Sequence, residues 1–511
     1  MEAFRIQNIK SFKDSGEIKI KPITILVGKN SCGKSSLLRF PAVLAQTAKF
    51  DEKKPISFFG DYVDYGNFED VVYGKTGKEL SFSISYNLDI SCNTRIVSDY
   101  GGIHVAIRSK GKANFHKVTI TVKLYRDEKS IKVNSVFTEI DEKPLSKLFW
   151  DEKTGIFVLK LLAFYDGKNL KEITEEIFFE KDEVEFEKFF PIYNGDSIKA
   201  IARTKNLGIS ENRQTEIFKY CYLSSRGIKD KIELNKEELD IAQIYMYFNY
   251  SSDIMRNIYE LFNAESRNRI SYIGPFRQNP GRIYRNSEAD KIHVGPRGEN
   301  VGDILVGAYQ NSEASPLFKE ISTWLNKYFG YQLTIEELGN NYFQLMLQQD
   351  NGLLSNIIDV GFGISQVLPI ISEICLTSKL KKKSKTDYGI NSIVLIEQPE
   401  LHLHPAAQAS LAELFAMCVT LNPNARLIIE THSEHLISKL QVLIADEANS
   451  LTNEMVQILY IDKKDGETTI DKMVIKENGK FEKIWPEGFF DQGYNLAVEL
   501  MLKASQKERN N

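Results

Sequence analysis

The sequence lacks a cysteine framework, a long apolar run and a strong net charge. Its five cysteines stand far apart, with no CxxC pair, at Cys32, Cys92, Cys221, Cys375 and Cys418. This scatter argues against a disulfide-stapled secreted domain and favours a reducing compartment. Because no apolar run reaches membrane-spanning length and the N-terminus has no signal-peptide core, we expect a cytoplasmic protein without a membrane segment.

The charge balance excludes an overall basic field. Lys and Arg together number 65 and Asp and Glu 69, which gives a net charge of -4. Any nucleic-acid site must therefore be a local patch. Lys381, Lys382, Lys383 and Lys385 form one such run, although runs of this kind are usually solvated loops. With 511 residues, 42% hydrophobic, we expect a globular chain of two or three domains.

The segment GKNSCGKS, residues 28–35, fits the phosphate-loop pattern G-x-x-x-x-G-K-[ST] at every fixed position. A short apolar strand precedes it and a helix follows it, which is the context that this loop requires. Gly28 and Gly33 allow backbone N–H groups to approach phosphate, Lys34 can reach the outer phosphates and Ser35 can hold Mg²⁺. The sequence therefore predicts a nucleoside triphosphate site, with phosphate-binding residues Gly28, Asn30, Gly33, Lys34, Ser35 and Ser36.

Two further apolar strands end in polar residues. Residues 392–396 lead into Glu397, Gln398 and Glu400, and residues 426–430 lead into His432. Ligands bind at such strand ends in open α/β sheets. An acid there can hold Mg²⁺, so Ser35 and Glu397 are the predicted metal residues. We expect His432 to face the γ-phosphate or the attacking water.

A second glycine-rich stretch, DVGFGISQVLPI, covers residues 359–370. Gly361 and Gly363 predict a tight loop, and Ser365 begins an apolar helix. The helix N-terminus forms a second candidate anion site. Within one subunit it has no evident use, but it is explained if it caps a phosphate held by another subunit.

Two groups of side chains leave alternatives open. Arg277, Arg282, Arg285 and Arg297 could bind phosphate or form ion pairs with nearby acids such as Glu288 and Glu299. His402 and His404 suggest a metal site, but no acid or cysteine is placed to complete it, so a structural role in a turn is favoured.

The middle of the chain differs in character. Strands are predicted at residues 118–124 and 156–161, and acidic, helix-compatible stretches follow around Glu172–Glu187 and Glu237–Leu261. The aromatic run at residues 245–250 favours a helical core face over a partner surface. We interpret residues 101–255 as an inserted arm or lid.

In this order, the motifs resemble the ABC-type ATPases of the prokaryotic AAA-family group, related to the overcoming-lysogenization-defect ATPases, RecF and the heads of structural-maintenance-of-chromosomes proteins. The segments that carry the resemblance are NIKSFKD, GKNSCGKSSLL, YIGPFRQNP, VGPRGEN, DVGFGISQVLPI, LIEQPELHLHP and ETHSEHLI. The ending KIWPEGFFDQ, residues 483–492, is similar to a small C-terminal domain of unknown function in one branch of that group.

The resemblance implies an α/β fold: an ABC-type head with a mixed sheet, a phosphate loop and an antiparallel N-terminal lobe, interrupted by an α+β middle domain. The expected domains are residues 1–100 and 256–475 for the two parts of the head, 101–255 for the insertion and 476–511 for a C-terminal extension. It also implies ATP and Mg²⁺ as ligands, Glu397 in the Walker B position and His432 as the switch histidine.

The same resemblance implies that Gly361, Gly363 and Ser365 form a signature loop acting across a homodimer, although the motif is GFGISQ and not LSGGQ. Gln398 stands where a catalytic glutamate is usual. Glutamine can orient water but cannot accept its proton, so Glu400 is a candidate substitute or hydrolysis is slow.

For function, the resemblance points to anti-phage defence ATPases that act with a separate effector, a nuclease or toxin. Two alternatives remain: a DNA-repair or chromosome-type ATPase that clamps nucleic acid, and an ATP-stabilised scaffold with little turnover. An assembly larger than a dimer is left open.

Overall fold

A computed structural model describes residues 1–50, 54–75, 77–90, 94–99, 102–107, 115–128, 130–165, 169–194, 197–225, 232–285, 291–310, 315–379, 391–486 and 498–503. Cys92, Glu288 and the lysine run at 381–385 lie outside these ranges. The chain forms two compact units. Unit 1 comprises residues 1–20, 40–270 and 382–391, and unit 2 comprises residues 21–39, 271–381 and 392–511.

Unit 1 contains an antiparallel sheet, to which nine strands contribute in the described part of the chain. Val118, Ile120, Val122 and Leu124 are fully buried on one face, because alternate side chains of a strand point to the same side. The strands are Ala3–Ile9, Phe12–Asp14, Ile18–Lys19, Glu79–Asp89, Phe115–Arg126, Ile131–Ile140, Lys143–Asp151, Ile156–Tyr165 and Leu170–Phe179.

This sheet crosses the predicted domain boundary near residue 100. Strand Glu79–Asp89 pairs along its whole length with Phe115–Arg126, which in turn pairs with Ile131–Ile140. Since strand pairing is continuous from the first residues to Leu170–Phe179, residues 101–255 fall within unit 1 and are not a separate compact body. The compact units thus divide the chain differently from the predicted domains.

The remaining elements of unit 1 are helical or short hairpins. Asn235 caps the longest helix by accepting from the Glu238 N–H at 2.9 Å, while the Asn235 N–H donates to the Glu238 carboxylate. The helices are Phe40–Lys49, Phe68–Val71, Ser197–Thr204, Glu211–Ser225 and Lys236–Asn268, with 3-10 turns Tyr73–Lys75 and Lys181–Glu183. The hairpin strands are Thr94–Asp99 with Gly102–Ile107 and Val184–Glu187 with Phe190–Tyr193.

Two expectations for the middle region have opposite outcomes. The aromatic run at residues 245–250 is helical and Phe248 belongs to the core, as predicted. The helix expected around Glu172–Glu187 is wrong, because Leu170–Phe179 is a strand that buries Ile177 and Phe179. The pairing of this strand with Ile156–Tyr165 outweighs the helix propensity of the glutamates.

Unit 2 contains a mixed sheet of six strands within the described residues. Their spatial order is Ile270–Ile273, Ser392–Glu397, Ala425–Glu430, Ile23–Gly28, Val456–Lys464 and Glu467–Met473. The middle four strands run parallel to one another, and the pairing of Val456–Lys464 with Glu467–Met473 is antiparallel. The parallel strands are nearly continuous apolar runs, as expected for strands buried on both faces.

Helices and a small second sheet complete unit 2. One core cluster joins them to the mixed sheet and includes Ile25, Leu305, Ile371, Phe415 and Ile429. The helices are Lys34–Leu38, Val301–Gln310, Ser315–Phe329, Phe362–Lys379, Pro405–Leu421 and Glu434–Ala445, with 3-10 turns Ile357–Asp359 and Asn453–Met455. The second sheet consists of Tyr284–Arg285, Tyr331–Gly339, Tyr342–Gln349 and Leu354–Asn356. Among all described residues, no helix combines the length and apolar character needed to cross a bilayer.

Candidate functional site

The phosphate loop, residues 28–35, joins strand Ile23–Gly28 to the short helix Lys34–Leu38. Gly28 and Gly33 have φ of 146° and 107°, which side-chain-bearing residues rarely adopt. A Cβ on Gly28 would lie 1.9 Å from the Ile461 carbonyl oxygen. The glycine at the start of the loop is therefore required by close contact with the neighbouring strand as well as by its backbone conformation.

Lys34 lies in the loop with only 4% of its surface exposed. Its Nζ donates to the carbonyl oxygens of Gly28 at 3.0 Å and Lys29 at 2.7 Å. A buried ammonium is costly unless its hydrogen bonds are satisfied, and here the loop backbone satisfies them. The cation is thus held beside the helix N-terminus, whereas Asn30 is exposed and Ser36 is half-buried.

Two buried glutamates end neighbouring parallel strands. Glu397 and Glu430 are paired in register, and Glu430 is also aligned with Leu26 of the phosphate-loop strand. Burial raises the pKa of Glu430, helped by the charge of Glu397 and opposed by hydrogen bonding to Ser35 and by the charge of Lys34. Glu430 Oε2 is buried and has no hydrogen-bond partner among the described residues.

Both carboxylate oxygens of Glu397 accept hydrogen bonds from side chains. Arg39 Nε donates to Oε1 at 2.5 Å and its terminal nitrogen donates to Oε2 at 2.7 Å. The Tyr272 hydroxyl donates to Oε1 at 2.8 Å. Burial, together with the charge of Glu397, raises the pKa of Tyr272. Glu397 and Arg39 therefore form a bidentate ion pair, which is a strong geometry for such a pair.

Gln398 follows in the left-handed region, with φ of 44°. Its N–H donates to the Glu430 carbonyl at 2.8 Å. Arg277 contacts the same turn, donating to the carbonyls of Glu397 at 2.7 Å and Gln398 at 3.2 Å. Burial lowers the pKa of Arg277 to about 10. Arg277 thus donates to main-chain carbonyls, whereas the sequence suggested either phosphate binding or an ion pair with an acid.

Glu400 and His432 form a further pair at these strand ends. The His432 N–H donates to Glu400 Oε1 at 2.6 Å, and Glu400 Oε2 is buried without a hydrogen-bond partner in the described part of the chain. Burial raises the pKa of Glu400. Burial and the charge of Lys34 lower the pKa of His432.

The helix Phe362–Lys379, here called the signature helix, begins directly after Gly361. The expected tight glycine loop is wrong, because Gly363 lies inside the first helical turn and neither glycine has φ in the left-handed region. A Cβ on Gly363 would lie 3.0 Å from the His402 carbonyl oxygen. Gly361 is exposed, whereas Ser365 is 7% exposed.

Other candidates have structural partners. Arg282 forms a two-pronged ion pair with Asp359, at 2.9 and 2.5 Å, which agrees with the ion-pair alternative but with a different acid. His404 Nδ1 accepts from the Ala406 N–H at 3.4 Å and caps helix Pro405–Leu421, which confirms its structural role. No group of three or more His, Cys, Asp or Glu side chains suited to a metal ion is present in the ranges that the structure describes.

The sequence analysis missed Glu430, Arg39 and Tyr272. Glu430 had a readable signal, since it ends an apolar strand one residue before Thr431-His432 just as Glu397 ends its own strand. Arg39 and Tyr272 had none, because their partner Glu397 is 358 and 125 residues away along the chain.

Comparison with solved structures finds heads of structural-maintenance-of-chromosomes proteins. A SmcHead bound to the C-winged helix domain of ScpA is 10% identical, with 93% of this chain and 98% of that chain covered and a TM-score of 0.37. An Smc head domain with an extended coiled coil, bound to the C-terminal domain of ScpA and derived from Pyrococcus furiosus, is 10% identical. The match covers 93% of this chain and 96% of that chain, with a TM-score of 0.36. The SMC head domain from Thermotoga maritima is 8% identical, with 92% of this chain and 98% of that chain covered and a TM-score of 0.31. Similarity at this level does not establish a shared activity or partner.

The comparison with curated proteins found no match. A family profile described as a protein of unknown function matches residues 451–500. The profile of the AAA ATPase domain matches residues 1–437, which include the phosphate loop, both buried strand-end glutamates, Glu400 and His432. With most of its length matched and these residues gathered in unit 2, the chain belongs to the AAA ATPase domain family.

Proposed function

We propose that this AAA-family ATPase binds ATP with Mg²⁺ at the phosphate loop and hydrolyses it slowly until a second subunit completes the site. The observation that carries the proposal is the position of buried Lys34 in the loop, with Ser35 next to it and the buried carboxylate of Glu430 at the end of the adjacent parallel strand. Basic, hydroxyl and acidic groups at a helix N-terminus are what a magnesium-bound triphosphate needs.

The residues fit both ligands. The N–H groups of residues 28–35 and the Lys34 ammonium would hold the β- and γ-phosphates, and Ser35 would hold the cation. Glu430 Oε2 and Glu400 Oε2 are buried oxygens without hydrogen-bond partners in the described ranges, which is what acceptors facing an absent cation or water show. Mg²⁺ supplies neutralisation of charge on the transferring phosphoryl group.

The chain's own residues supply the proton chemistry. Gln398 can hold a water molecule through its amide but cannot take its proton. Glu400 can, because burial raises its pKa toward the working pH, where a base is most effective. His432, kept neutral by burial and Lys34, can donate to or accept from the same water or the outer phosphate. We therefore assign proton acceptance to Glu400 and water orientation to Gln398 and His432.

Low basal turnover is supported by the contacts of Glu397. Its oxygens are committed to Arg39 and Tyr272, so any role of Glu397 at the metal requires those bonds to open. The engagement of Glu397 by Arg39 and Tyr272 favours an ATPase whose rate depends on a conformational change. The same contacts support a second candidate function, a scaffold in which ATP mainly stabilises an assembly.

The change that we propose is dimerisation. Exposed Gly361 precedes the signature helix, whose N-terminal N–H groups would cap a phosphate bound to the partner subunit. The resemblance stated above supports, as further proposals, a separate nuclease or toxin as effector and a role in anti-phage defence. Phage plating on cells that carry the wild-type or Lys34→Ala gene with its neighbours tests that role: equal plating efficiencies would remove it.

The site itself is tested by Lys34→Ala. We expect wild-type protein to bind a fluorescent ATP analogue and release phosphate, and Lys34→Ala to lose both by about 10²-fold or more. Lys29→Ala is the matched control, since Lys29 is largely exposed five residues earlier in the same loop. If Lys34→Ala binds nucleotide as well as the control does, the proposed function is wrong.

A further inference from the structure

We propose that a cavity in unit 1 binds an arginine side chain presented by a partner protein. The cavity has a volume of about 450 Å³ and is lined by helix Lys236–Asn268 and by the hairpin of strands Val184–Glu187 and Phe190–Tyr193. The inference goes beyond the proposed function and does not depend on it. The residues that line the cavity belong to unit 1, whereas the phosphate loop belongs to unit 2.

Aromatic rings form part of the cavity wall. The ring of Phe190 packs edge-on against Tyr259, with 5.3 Å between the ring centroids, and Tyr193 packs in the same way against Phe248 at 5.0 Å. Phe190 and Phe248 are buried, whereas Tyr193 and Tyr259 are half-buried, so part of each tyrosine remains accessible to a ligand. A planar guanidinium stacks on aromatic rings more readily than an ammonium group does, which favours arginine as the occupant.

The charge of the cavity is acidic. Among the described residues that line it, carboxylates outnumber cations: Glu187, Asp253 and Glu260 stand against Arg256. Arg256 lies 3.7 Å from Asp253, and both side chains are largely exposed, so this ion pair contributes little. The excess of carboxylates favours a positively charged ligand over a phosphate or a nucleic acid.

The structure leaves the Glu260 carboxylate without a partner in the ranges that it describes. Glu260 is half-buried and forms no hydrogen bond or ion pair with the described residues. Burial raises its pKa and the charge of Glu187 raises it further, against the charges of Arg256 and Arg267. Glu187 itself accepts a hydrogen bond from the Tyr259 hydroxyl. A guanidinium beside the two carboxylates would relieve their repulsion and supply the hydrogen bonds that Glu260 lacks.

Asn249 lies further along the same face of the helix. Asn249, Asp253, Arg256 and Glu260 follow one another at spacings of four and three residues, so they share one side of the helix. Asn249 is half-buried, and its amide forms no hydrogen bond within the described part of the chain. It lies about 16 Å from Glu260 along the helix axis, so it would contact the main chain that flanks the bound arginine.

The test uses the full chain without nucleotide, so its outcome is independent of the proposed function. A blocked pentapeptide with a central arginine between glycines is titrated against the protein, beside the same peptide with citrulline, whose urea group keeps the shape and removes the charge. We expect the arginine peptide to bind and the citrulline peptide to bind about tenfold more weakly or worse, because the charge-assisted hydrogen bonds are lost. Equal binding of the two peptides would overturn the inference.

Charge variants locate the site. Glu260→Gln should weaken binding of the arginine peptide about tenfold. Asp240→Asn is the matched control, since it changes an exposed acid of the same helix that does not line the cavity, and it should bind as wild type does. Equal losses in the two variants would assign the binding to non-specific attraction, and the inference would be wrong.

Two substitutions of Tyr259 test the aromatic wall. Tyr259→Phe keeps the ring and releases Glu187, so it should bind the arginine peptide at least as tightly as wild type. Tyr259→Leu removes the ring and should bind about three- to tenfold more weakly. If the melting curve shows that Tyr259→Leu does not fold, the comparison of Glu260→Gln with Asp240→Asn decides alone.

The oligomeric state separates a partner protein from a second copy of this chain. In light scattering without nucleotide, we expect a monomer whose mass the arginine peptide leaves unchanged. A nucleotide-free dimer that the peptide dissociates would place an arginine of another copy in the cavity and overturn the assignment to a separate partner.

Discussion

At the scale of single residues, Gly28 shows how strongly one backbone position constrains the nucleotide loop. Gly28→Ala must place a Cβ 1.9 Å from the Ile461 carbonyl oxygen at φ of 146°, so strand Val456–Lys464 or the loop has to move. We expect the substitution to lower the free energy of unfolding by more than about 1 kcal/mol and to abolish nucleotide binding. Chemical denaturation and analogue titration measure the two effects.

Gly307→Ala is the control for that substitution. Gly307 lies in helix Val301–Gln310, and a Cβ there meets nothing within 4 Å. Since alanine is the better helix former, this variant should be as stable as wild type or up to about 1 kcal/mol more stable. Equal losses in both variants would mean that glycine content, and not the contact at Gly28, controls stability.

Glu400 gives the residue-scale prediction for pH. Because burial raises its pKa, the ionised carboxylate that we propose as the acceptor of the water's proton is lost as pH falls through a value above that of an ordinary glutamate. We expect kcat to fall on the acid side at that raised value. Glu400→Gln should lower kcat by about 10²–10⁴-fold and remove this acid limb. Glu447→Gln, at an exposed site, should change neither, and an unaltered acid limb in Glu400→Gln would assign the proton acceptor elsewhere.

At the scale of elements, Glu413 joins three helices of unit 2. Lys439 Nζ donates to its Oε1 at 2.8 Å, and Lys327 and the Tyr328 hydroxyl donate to Oε2. Burial alone would raise the pKa of Glu413, but these hydrogen bonds outweigh it and lower the pKa to about 2. The carboxylate of helix Pro405–Leu421 is thus held by cations from Ser315–Phe329 and Glu434–Ala445.

The sign of the resulting pH dependence follows from the lowered pKa. The ionised Glu413 stabilises the fold fully above the unfolded-state pKa near 4.5, and this contribution is lost as pH falls toward about 2. After allowance for solvent screening, Glu413→Gln should cost about 1 kcal/mol at neutral pH. In denaturation curves at several pH values, the difference from wild type should shrink below about pH 4.5. A constant difference would contradict the ion-pair account.

What the sequence predicts at this scale depends on how local the signal is. An apolar strand followed by a polar residue is a local pattern, so the phosphate loop and the strand ends at Glu397 and His432 are predictable. The partner of Glu397 is not predictable, because Arg39, the C-cap of helix Lys34–Leu38, is 358 residues away along the chain and meets Glu397 only through the order of the strands in the sheet. Pairing with a neighbouring strand also overrides helix propensity. The acidic stretch from Glu172 therefore forms a strand, because it pairs with Ile156–Tyr165.

At the scale of the whole molecule, the proposed dimerisation can be tested separately from nucleotide binding. Gly361 is exposed and a Cβ there meets nothing within 4 Å, so Gly361→Asp should leave the fold and ATP binding intact. The added carboxylate would repel the phosphate of a partner subunit. We expect the Glu400→Gln protein to dimerise with Mg²⁺-ATP in size-exclusion chromatography with light scattering, and the added Gly361→Asp change to keep it monomeric.

Gly361→Ala in the same background controls for loss of glycine and should still dimerise. Dimers of equal stability with aspartate and alanine at this position would show that Gly361 does not face a phosphate, and the proposed arrangement of two subunits would be wrong.

Pro369 lies within the signature helix, and proline has no N–H to donate to the carbonyl of Ser365. Gly298 packs so tightly against its ring that a Cβ there would come within 2.5 Å of Pro369 Cγ. The helix therefore lacks one of its backbone hydrogen bonds one turn after Ser365, at a point where Gly298 packs against it. Because a proline inside a helix is a common cause of a kink, we expect any bending of this helix to occur there.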